Sequence, residues 1–244
     1  MKQNKVILVT GATSGVGFAL TKKLLNASYT VIATGRNQAQ LQRMEQLGAM
    51  TICGDLTLQE DLDALIEQLP TINVAILNAG IGTFDYVASI SDDAIEEMIG
   101  LNISSQIKLT KRLIPLVKEQ FIFMGSQAGK VATPKAAIYA ATKYALIGFT
   151  NGLRLEQPTK VVTVIHPGPI DSPFLDHADA TNTYREKMGN MLLTAEKVAD
   201  KTIAAIGTKK REVNIPWYMG ISSKLYALAP SMVETVGKPF FNKK

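Results

Sequence analysis

The chain has 244 residues, 46% of them hydrophobic and 19% charged, the balance of a globular protein able to bury a large core, with no long polar or low-complexity tract. It offers nowhere the roughly 18 uninterrupted apolar residues that a bilayer-spanning helix needs, and Cys53 as its only cysteine excludes an internal disulfide and argues against a cysteine-based zinc site. The net charge of +5 falls entirely on residues 209–244, where Lys209, Lys210, Arg211, Lys224, Lys238, Lys243 and Lys244 outnumber Glu212 and Glu234.

Met1-Lys2-Gln3-Asn4-Lys5 leads directly into Val6–Thr10, an apolar run too short for a secretion signal; a cytoplasmic protein is expected. Val6–Thr10 reads as a strand, Gly11–Gly17 as a glycine loop, and Val16–Ala27 as a helix with Phe18, Leu20, Leu24 and Leu25 on its apolar positions. Thr30–Thr34 is a second strand, after which Asn37 opens a helix through Leu47. Met50–Cys53 is a third strand, and Thr57 is expected to cap a helix running toward Leu69 and Pro70. Asn73–Leu77 is a fourth strand. Residues 91–117 form one long helical stretch with Pro115 near its end, followed by a fifth strand at Phe121–Met124. A helix over Ala136–Glu156, a strand at Val161–Ile165, a helix over Thr194–Ile206 and a last strand at Glu212–Ile215 complete the series.

Strands and helices alternate, and the strands are continuous apolar runs. That pattern implies parallel strands buried on both faces, with helices packed on each side. The expectation is one α/β domain over residues 1–244, doubly wound around a mainly parallel sheet of about seven strands. Residues 170–193 fit the alternation poorly and carry Asp176, His177, Asp179, Thr181 and Asn182. They follow the sixth strand, where open α/β sheets bind ligands, and are read as a lid over the substrate.

Thr10-Gly11-Ala12-Thr13-Ser14-Gly15-Val16-Gly17 joins the first strand to the first helix. Glycines there permit a tight turn and close approach of backbone to a pyrophosphate, which the helix N-terminus attracts. The spacing Thr-Gly-x-x-x-Gly-x-Gly resembles the cofactor loop of the short-chain dehydrogenase/reductase family. Further motifs of that family follow in order: Asp55-Leu56, Asn78-Ala79-Gly80, Asn102, Ser126, Tyr139 with Lys143, and Pro167-Gly168. Each is common alone; the ordered set is specific, and the likeness fades after about Pro173.

The resemblance implies an oxidoreductase that binds a nicotinamide dinucleotide. Its expected contacts are Gly11, Thr13, Ser14, Gly15, Val16 and Gly17 of the loop, Arg36 and Asn37, Asp55 and Leu56 at the adenine, and Asn78, Ala79 and Gly80. Tyr139, Lys143, Pro167, Gly168, Ile170 and Ser172 complete the set, the Ser172 hydroxyl standing where the family often has Thr. An acidic residue at the end of the second strand would bond the ribose 2′-hydroxyl of NAD and repel a 2′-phosphate. Here Ala33-Thr34-Gly35-Arg36-Asn37 offers a guanidinium able to fork a phosphate, so NADP(H) is the expected cofactor, with NAD(H) the lesser alternative.

Tyr139 and Lys143 lie four apart, on one helix face. A neighbouring ammonium, together with the positive charge of an oxidised nicotinamide, favours the phenolate and is expected to bring the tyrosine's pKa down from its ordinary value near 10. Ser126 follows the apolar run Phe121–Met124, so its hydroxyl emerges at the carboxyl edge of the sheet, where it can steady charge on a substrate oxygen. The resemblance gives Lys143 the nicotinamide ribose as a further partner and makes Asn102 the holder of a relay water. The expected reaction is reversible hydride transfer between the nicotinamide and a small-molecule carbonyl or secondary alcohol, with Tyr139 as acid/base.

His166 reads as structural, and with His177 as the only other histidine no metal site is expected. Trp217, Tyr218, Met219, Ile221, Leu225, Tyr226 and Leu228 crowd the segment 216–244. Pocket lining, a homo-oligomer contact and peripheral membrane docking are all open for it, the last being the weakest. The resemblance suggests a homodimer or homotetramer. No nucleic acid is expected as a partner, since the pI near 9.2 comes without a basic–aromatic motif. The runner-up function is a non-catalytic NADP(H)-sensing regulator, which would have no need of Tyr139, Lys143 and Ser126 together.

Overall fold

The computed structural model describes residues 5–179 and 183–241. Thr181, Asn182, Lys243 and Lys244, together with the side chain of Lys238, lie outside the described residues. The strands are β1 (Val6–Thr10), β2 (Thr30–Gly35), β3 (Met50–Cys53), β4 (Ile72–Leu77), β5 (Val117–Met124), β6 (Val161–Pro167), β7 (Ile170–Asp171), β8 (Leu193–Thr194) and β9 (Glu212–Ile215). Seven of them form one sheet in the order β3-β2-β1-β4-β5-β6-β9, with parallel pairing throughout. Strand order reverses between β1 and β4, and a crevice opens at that reversal beyond the carboxyl ends of the strands.

The helices are α1 (Gly15–Asn26), α2 (Gln38–Gln46), α3 (Gln59–Gln68), α4 (Asp92–Ile99), α5 (Gln106–Leu113), α6 (Ala137–Glu156), α7 (Pro173–Ala178), α8 (Thr183–Met188), α9 (Ala195–Ile203), α10 (Met219–Leu228) and α11 (Pro230–Phe241). Alternate residues of each strand point to opposite faces. Ile7, Val9, Val31, Val74, Ile76 and Ile122 therefore meet α1, α2 and α9 through Leu20, Leu24, Leu41, Met44 and Val198. Leu8, Ile32, Ala75, Phe121 and Phe123 meet α3, α5 and α6 through Leu62, Leu65, Leu109 and Leu146. Both faces being covered explains why the strands read as unbroken apolar runs. No helix of the described residues is long and apolar enough to cross a membrane.

Several boundaries move, for physical reasons. Asn37 does cap α2, its side chain accepting from the Gln40 amide at 3.1 Å. Thr57 does not cap α3: its hydroxyl donates to Asp55 Oδ1 at 2.7 Å, and Leu58 takes the cap position without a side-chain bond. The stretch 91–117 is not one helix. It passes from α4 through a π-helical turn at Gly100–Ser105 into α5, and Val117 already belongs to β5. Pro115 lacks the amide to continue the helix. The polar start of β5 is hidden by its partners: Glu119 accepts from Lys5 and from Asn73 Nδ2 (2.8 Å), and Gln120 Nε2 donates to Thr163 Oγ1 (2.9 Å).

Candidate active site

The loop between β1 and α1 is shaped by glycine. Gly11 has φ +61° and Gly15 φ +49°, the left-handed region that side chains disfavour. A Cβ on Gly17 would stand 2.0 Å from Gly11 O, so this residue packs beneath the loop, while Gly11, Thr13, Ser14, Gly15 and Val16 face the crevice. Asn78, at the end of β4, holds the loop in place: its Nδ2 donates to Thr10 O at 3.1 Å and Gly11 O at 3.3 Å. Thr10 Oγ1 accepts in turn from the amides of Asn78 and Ala79. Ser14 precedes α1 with no side-chain capping bond, which leaves the first-turn amides of the helix for an anion.

One cavity of about 1130 Å³ runs from this loop across the ends of β2 through β6. Every residue expected at the cofactor lines it except Gly17, and of the expected catalytic set only Asn102 stands behind its wall. At one end Arg36 Nη1 sits 3.3 Å from Asp55 Oδ2. Burial would raise the Asp55 carboxyl, but bonds from the Thr57 amide and hydroxyl and the charge of Arg36 hold it below the usual carboxylate value. Ser172 reaches the loop from the far side, its Cβ 3.5 Å from where a Cβ on Gly15 would be.

At the other end α6 presents Tyr139 and Lys143 one turn apart, and Ser126 follows β5. The Ser126 side chain stands near enough to the Tyr139 phenol to pull its pKa down, and its Oγ accepts from the Ala128 amide at 3.1 Å. Lys143 Nζ lies 5.7 Å from the centre of the Tyr139 ring and donates to Met124 O at 3.1 Å. The protein's own groups do not lower the phenol. Burial pushes it up to about 12 against the pull of Ser126, while burial also brings the Lys143 ammonium down to about 8. Desolvation penalises both charged forms.

Asn102 sits in the π-helical turn, a geometry that rotates a side chain out of helical register. Its Oδ1 accepts from the Ile81 amide (2.9 Å), and its Nδ2 donates to Ile81 O (2.8 Å) and Thr142 Oγ1 (3.1 Å). Both amide protons are thus committed to protein, and a lone pair of Oδ1 is what the side chain retains. A Cβ on Gly80 would lie 3.1 Å from that oxygen and 3.4 Å from Lys143 Nζ, so Gly80 separates Asn102 from the cavity. His166 lies outside the wall, its Nδ1 3.2 Å from Ser126 O and its Nε2 3.6 Å from Glu212.

Sequence reading missed an aromatic cage over Tyr139. Phe84 packs edge-on at 5.7 Å from Tyr139 and 5.4 Å from Tyr184, and Phe174 lies 5.6 Å from Tyr139. Phe84 lies between β4 and α4, where no periodicity marks it; the Ala178 carbonyl fixes it by accepting its amide at 2.7 Å. Gly82 makes room for Phe174, whose Cζ comes 2.6 Å from where a Cβ would be. Of the three readings of the C-terminal segment, pocket lining is seen: Tyr218, Met219, Ser222, Tyr226 and Val233 face the cavity. Trp217, Ile221, Leu225, Leu228, Met232 and Val236 are exposed.

The profile of the short chain dehydrogenases matches residues 5–183. The chain belongs to the short-chain dehydrogenase family. As a short-chain dehydrogenase it is an oxidoreductase by family. It is 28% identical to the uncharacterised oxidoreductase YbbO of Escherichia coli, over 87% of this chain and 85% of that one. It is 32% identical to an uncharacterised short-chain type dehydrogenase/reductase of Sinorhizobium fredii, over 78% of this chain and 75% of that one. Among solved structures, the closed form of a serine dehydrogenase complexed with NADP+ superposes with a TM-score of 0.79 at 25% identity, covering 86% of this dehydrogenase and 93% of its own chain. A 3-ketoacyl-(acyl-carrier-protein) reductase from Brucella melitensis complexed with NADH shares the fold, with a TM-score of 0.79 at 22% identity over 88% of this chain and 98% of its own.

Proposed function

We propose that this dehydrogenase binds NADP(H) and moves hydride reversibly between the nicotinamide and a carbonyl or secondary-alcohol carbon, with Tyr139 as the acid/base. The observation that carries the reading is the joining of two ends by one cavity: the Tyr139–Ser126 pair above Lys143 at one end, the glycine loop and Arg36 at the other. The cradle fits a dinucleotide. Side chains at Gly11 and Gly15 would strain the backbone that meets the pyrophosphate, and the first-turn amides of α1 have no competing cap.

Bound, the dinucleotide supplies the hydride donor or acceptor. Arg36 releases its exposed contact with Asp55 for the more strongly charged 2′-phosphate, which a guanidinium meets with two parallel bonds. Ser126 holds the substrate oxygen. Tyr139, kept protonated by burial, gives its proton to that oxygen as negative charge develops on it, and takes the proton back in the oxidative direction. Lys143 bonds the nicotinamide ribose, and its charge favours the phenolate left behind. Asn102 fixes the Ile81 backbone beside Gly80 and gives a relay water an Oδ1 lone pair. Residues 170–193 act as the lid: Arg185 braces it by donating to Asp171 (3.0 Å), Asp176 (2.6 Å) and Ser172 O (3.3 Å). A sensor without turnover would have no use for this convergence of Tyr139, Ser126 and Lys143.

The test follows nicotinamide absorbance on mixing the chain with NADPH, or with NADH, and a panel of ketones and aldehydes. NADPH-dependent consumption is expected, and Tyr139→Phe should lower it by roughly 10²–10⁴-fold while NADPH still binds. Retained turnover in Tyr139→Phe would remove the tyrosine from the mechanism. Equal rates with NADH would remove the cofactor preference.

A further inference from the structure

We infer that the substrate is a neutral ketone, or its alcohol, with an apolar ring or branched hydrocarbon body, and that a carboxylate or phosphate beside the carbonyl is rejected. The inference rests on the reading that Tyr139 and Ser126 hold the reacting oxygen.

The distribution of charge around the cavity carries it. Among the described lining residues the only Lys, Arg, Asp or Glu side chains are Arg36, Asp55 and Lys143. Arg36 and Asp55 face one another beyond β2 and β3. In the sheet order β2 stands three strands from β5, roughly 14 Å at ordinary strand spacing, too far to reach a group attached to a carbonyl at Ser126. Lys143 lies under the Tyr139 ring, with its ammonium on Met124 O. In the lid Arg185 pairs with Asp171 and Asp176, and neither these three nor Asp179, Glu186 and Lys187 line the cavity. Ala180-Thr181-Asn182, between the described parts of the lid, carries no charge in the sequence.

What faces the substrate is hydrocarbon and ring. Phe84, Phe174 and Tyr184 close over Tyr139 from the lid side, and Met188, Met219 and Tyr226 line the same cavity. The polar atoms that interrupt this wall are neutral. Ser222 donates its hydroxyl to Met219 O at 3.1 Å, and Thr133 Oγ1, buried in the wall, has no partner among the described residues. Such a wall returns free energy for apolar area and ring edges. Its one cation near the reacting oxygen is Lys143, whose ammonium donates to Met124 O beneath the Tyr139 ring, so a carboxylate against the rest of the wall is desolvated without a partner to repay the penalty. Among the described lining residues His177 is the one other side chain able to carry a positive charge.

Benzoylformate and its methyl ester share a skeleton and an activated carbonyl and differ in charge. Offered with NADPH at pH 7 to the full chain, the ester is expected to give a kcat/KM about 100-fold above the acid. A melting-temperature shift, measured with and without NADPH, should appear with the ester and not with the acid. His177→Gln should leave that preference in place. Met188→Arg, which adds a cation at a partly exposed wall position, should raise the acid-to-ester ratio at least about tenfold. An acid that is used or bound as well as the ester, a preference lost in His177→Gln, or a ratio unmoved in Met188→Arg would each overturn the inference. The outcome that separates the two readings is ester binding without turnover: it keeps the substrate class and removes the hydride-transfer reading. No shift with the ester removes the substrate class, whatever the turnover of other ketones.

Discussion

Arg36 is 62% exposed and only 3.3 Å from the Asp55 carboxylate, a loose pair of the kind that contributes little in water. A 2′-phosphate can therefore take the guanidinium at small expense. Arg36→Ala is expected to raise the KM for NADPH by roughly 10–100-fold and to change that for NADH by less than about twofold. Equal losses would show Arg36 to be a solvated surface residue. Lys143 is the other residue whose state decides the chemistry. Burial brings it down to about 8 from 10.5, so its charge is present below about pH 8 and lost above. Reduction, which leaves a phenolate to be stabilised, should accordingly slow as pH rises through about 8. A pH–rate profile that stays flat between 7 and 9 would contradict this. Tyr139 and Lys143 could be picked out by their spacing together with Ser126 at the end of the preceding strand, but the burial that dominates the phenol's shift could not.

At the scale of elements, the carboxyl ends of β5 and β6 and the start of β9 are tied through a buried histidine. Burial, followed by the charge of Lys130, brings His166 down to about 4; the Ser126 carbonyl and Glu212 oppose that, and Lys143 adds to it. The folded value lies below the ordinary 6.5, so the unfolded chain binds the extra proton between about pH 6.5 and 4. The stability that neutral His166 allows is complete above that window and is lost as pH falls through it, by about 3 kcal/mol in all. Urea midpoints measured from pH 7 down to pH 4 should drop by that much, and His166→Asn should flatten the curve; an equally steep curve in the variant would place the acid sensitivity elsewhere. Elements differ in how openly the sequence displays them. β1 is plain because five consecutive strand-forming residues fill it. The start of β5 is masked by Lys118, Glu119 and Gln120, the last two of which find their partners in Lys5 just before β1, Asn73 of β4 and Thr163 of β6. The π-helical turn around Asn102 is equally silent, since its cause is the distant Ile81 backbone that Asn102 clasps.

For the whole molecule, the cavity joins the loop after β1 to the C-terminal helices α10 and α11, so cofactor binding is coupled to the stability of the entire fold. NADPH at about 100 times its Kd should add about 2.7 kcal/mol, which for a chain of this size raises Tm by roughly 5–10 °C. NADH at the same concentration should raise it less, and equal shifts would argue against the 2′-phosphate contact. The sequence by itself determined the doubly wound sheet, the glycine loop and the line of Ser126, Tyr139 and Lys143. Each of these is written in short-range form: apolar runs enforced by burial on two faces, a turn that needs glycine, a one-turn helical spacing. Only the tertiary structure decided that Phe84, Phe174 and Tyr184 close over Tyr139, that Tyr218 and Tyr226 face the same space, and that Gly17 and Asn102 stand behind the wall. Those arrangements depend on strand order and on crossovers that bring residues some 90 positions apart into contact, and such contacts leave no local period for a sequence to show.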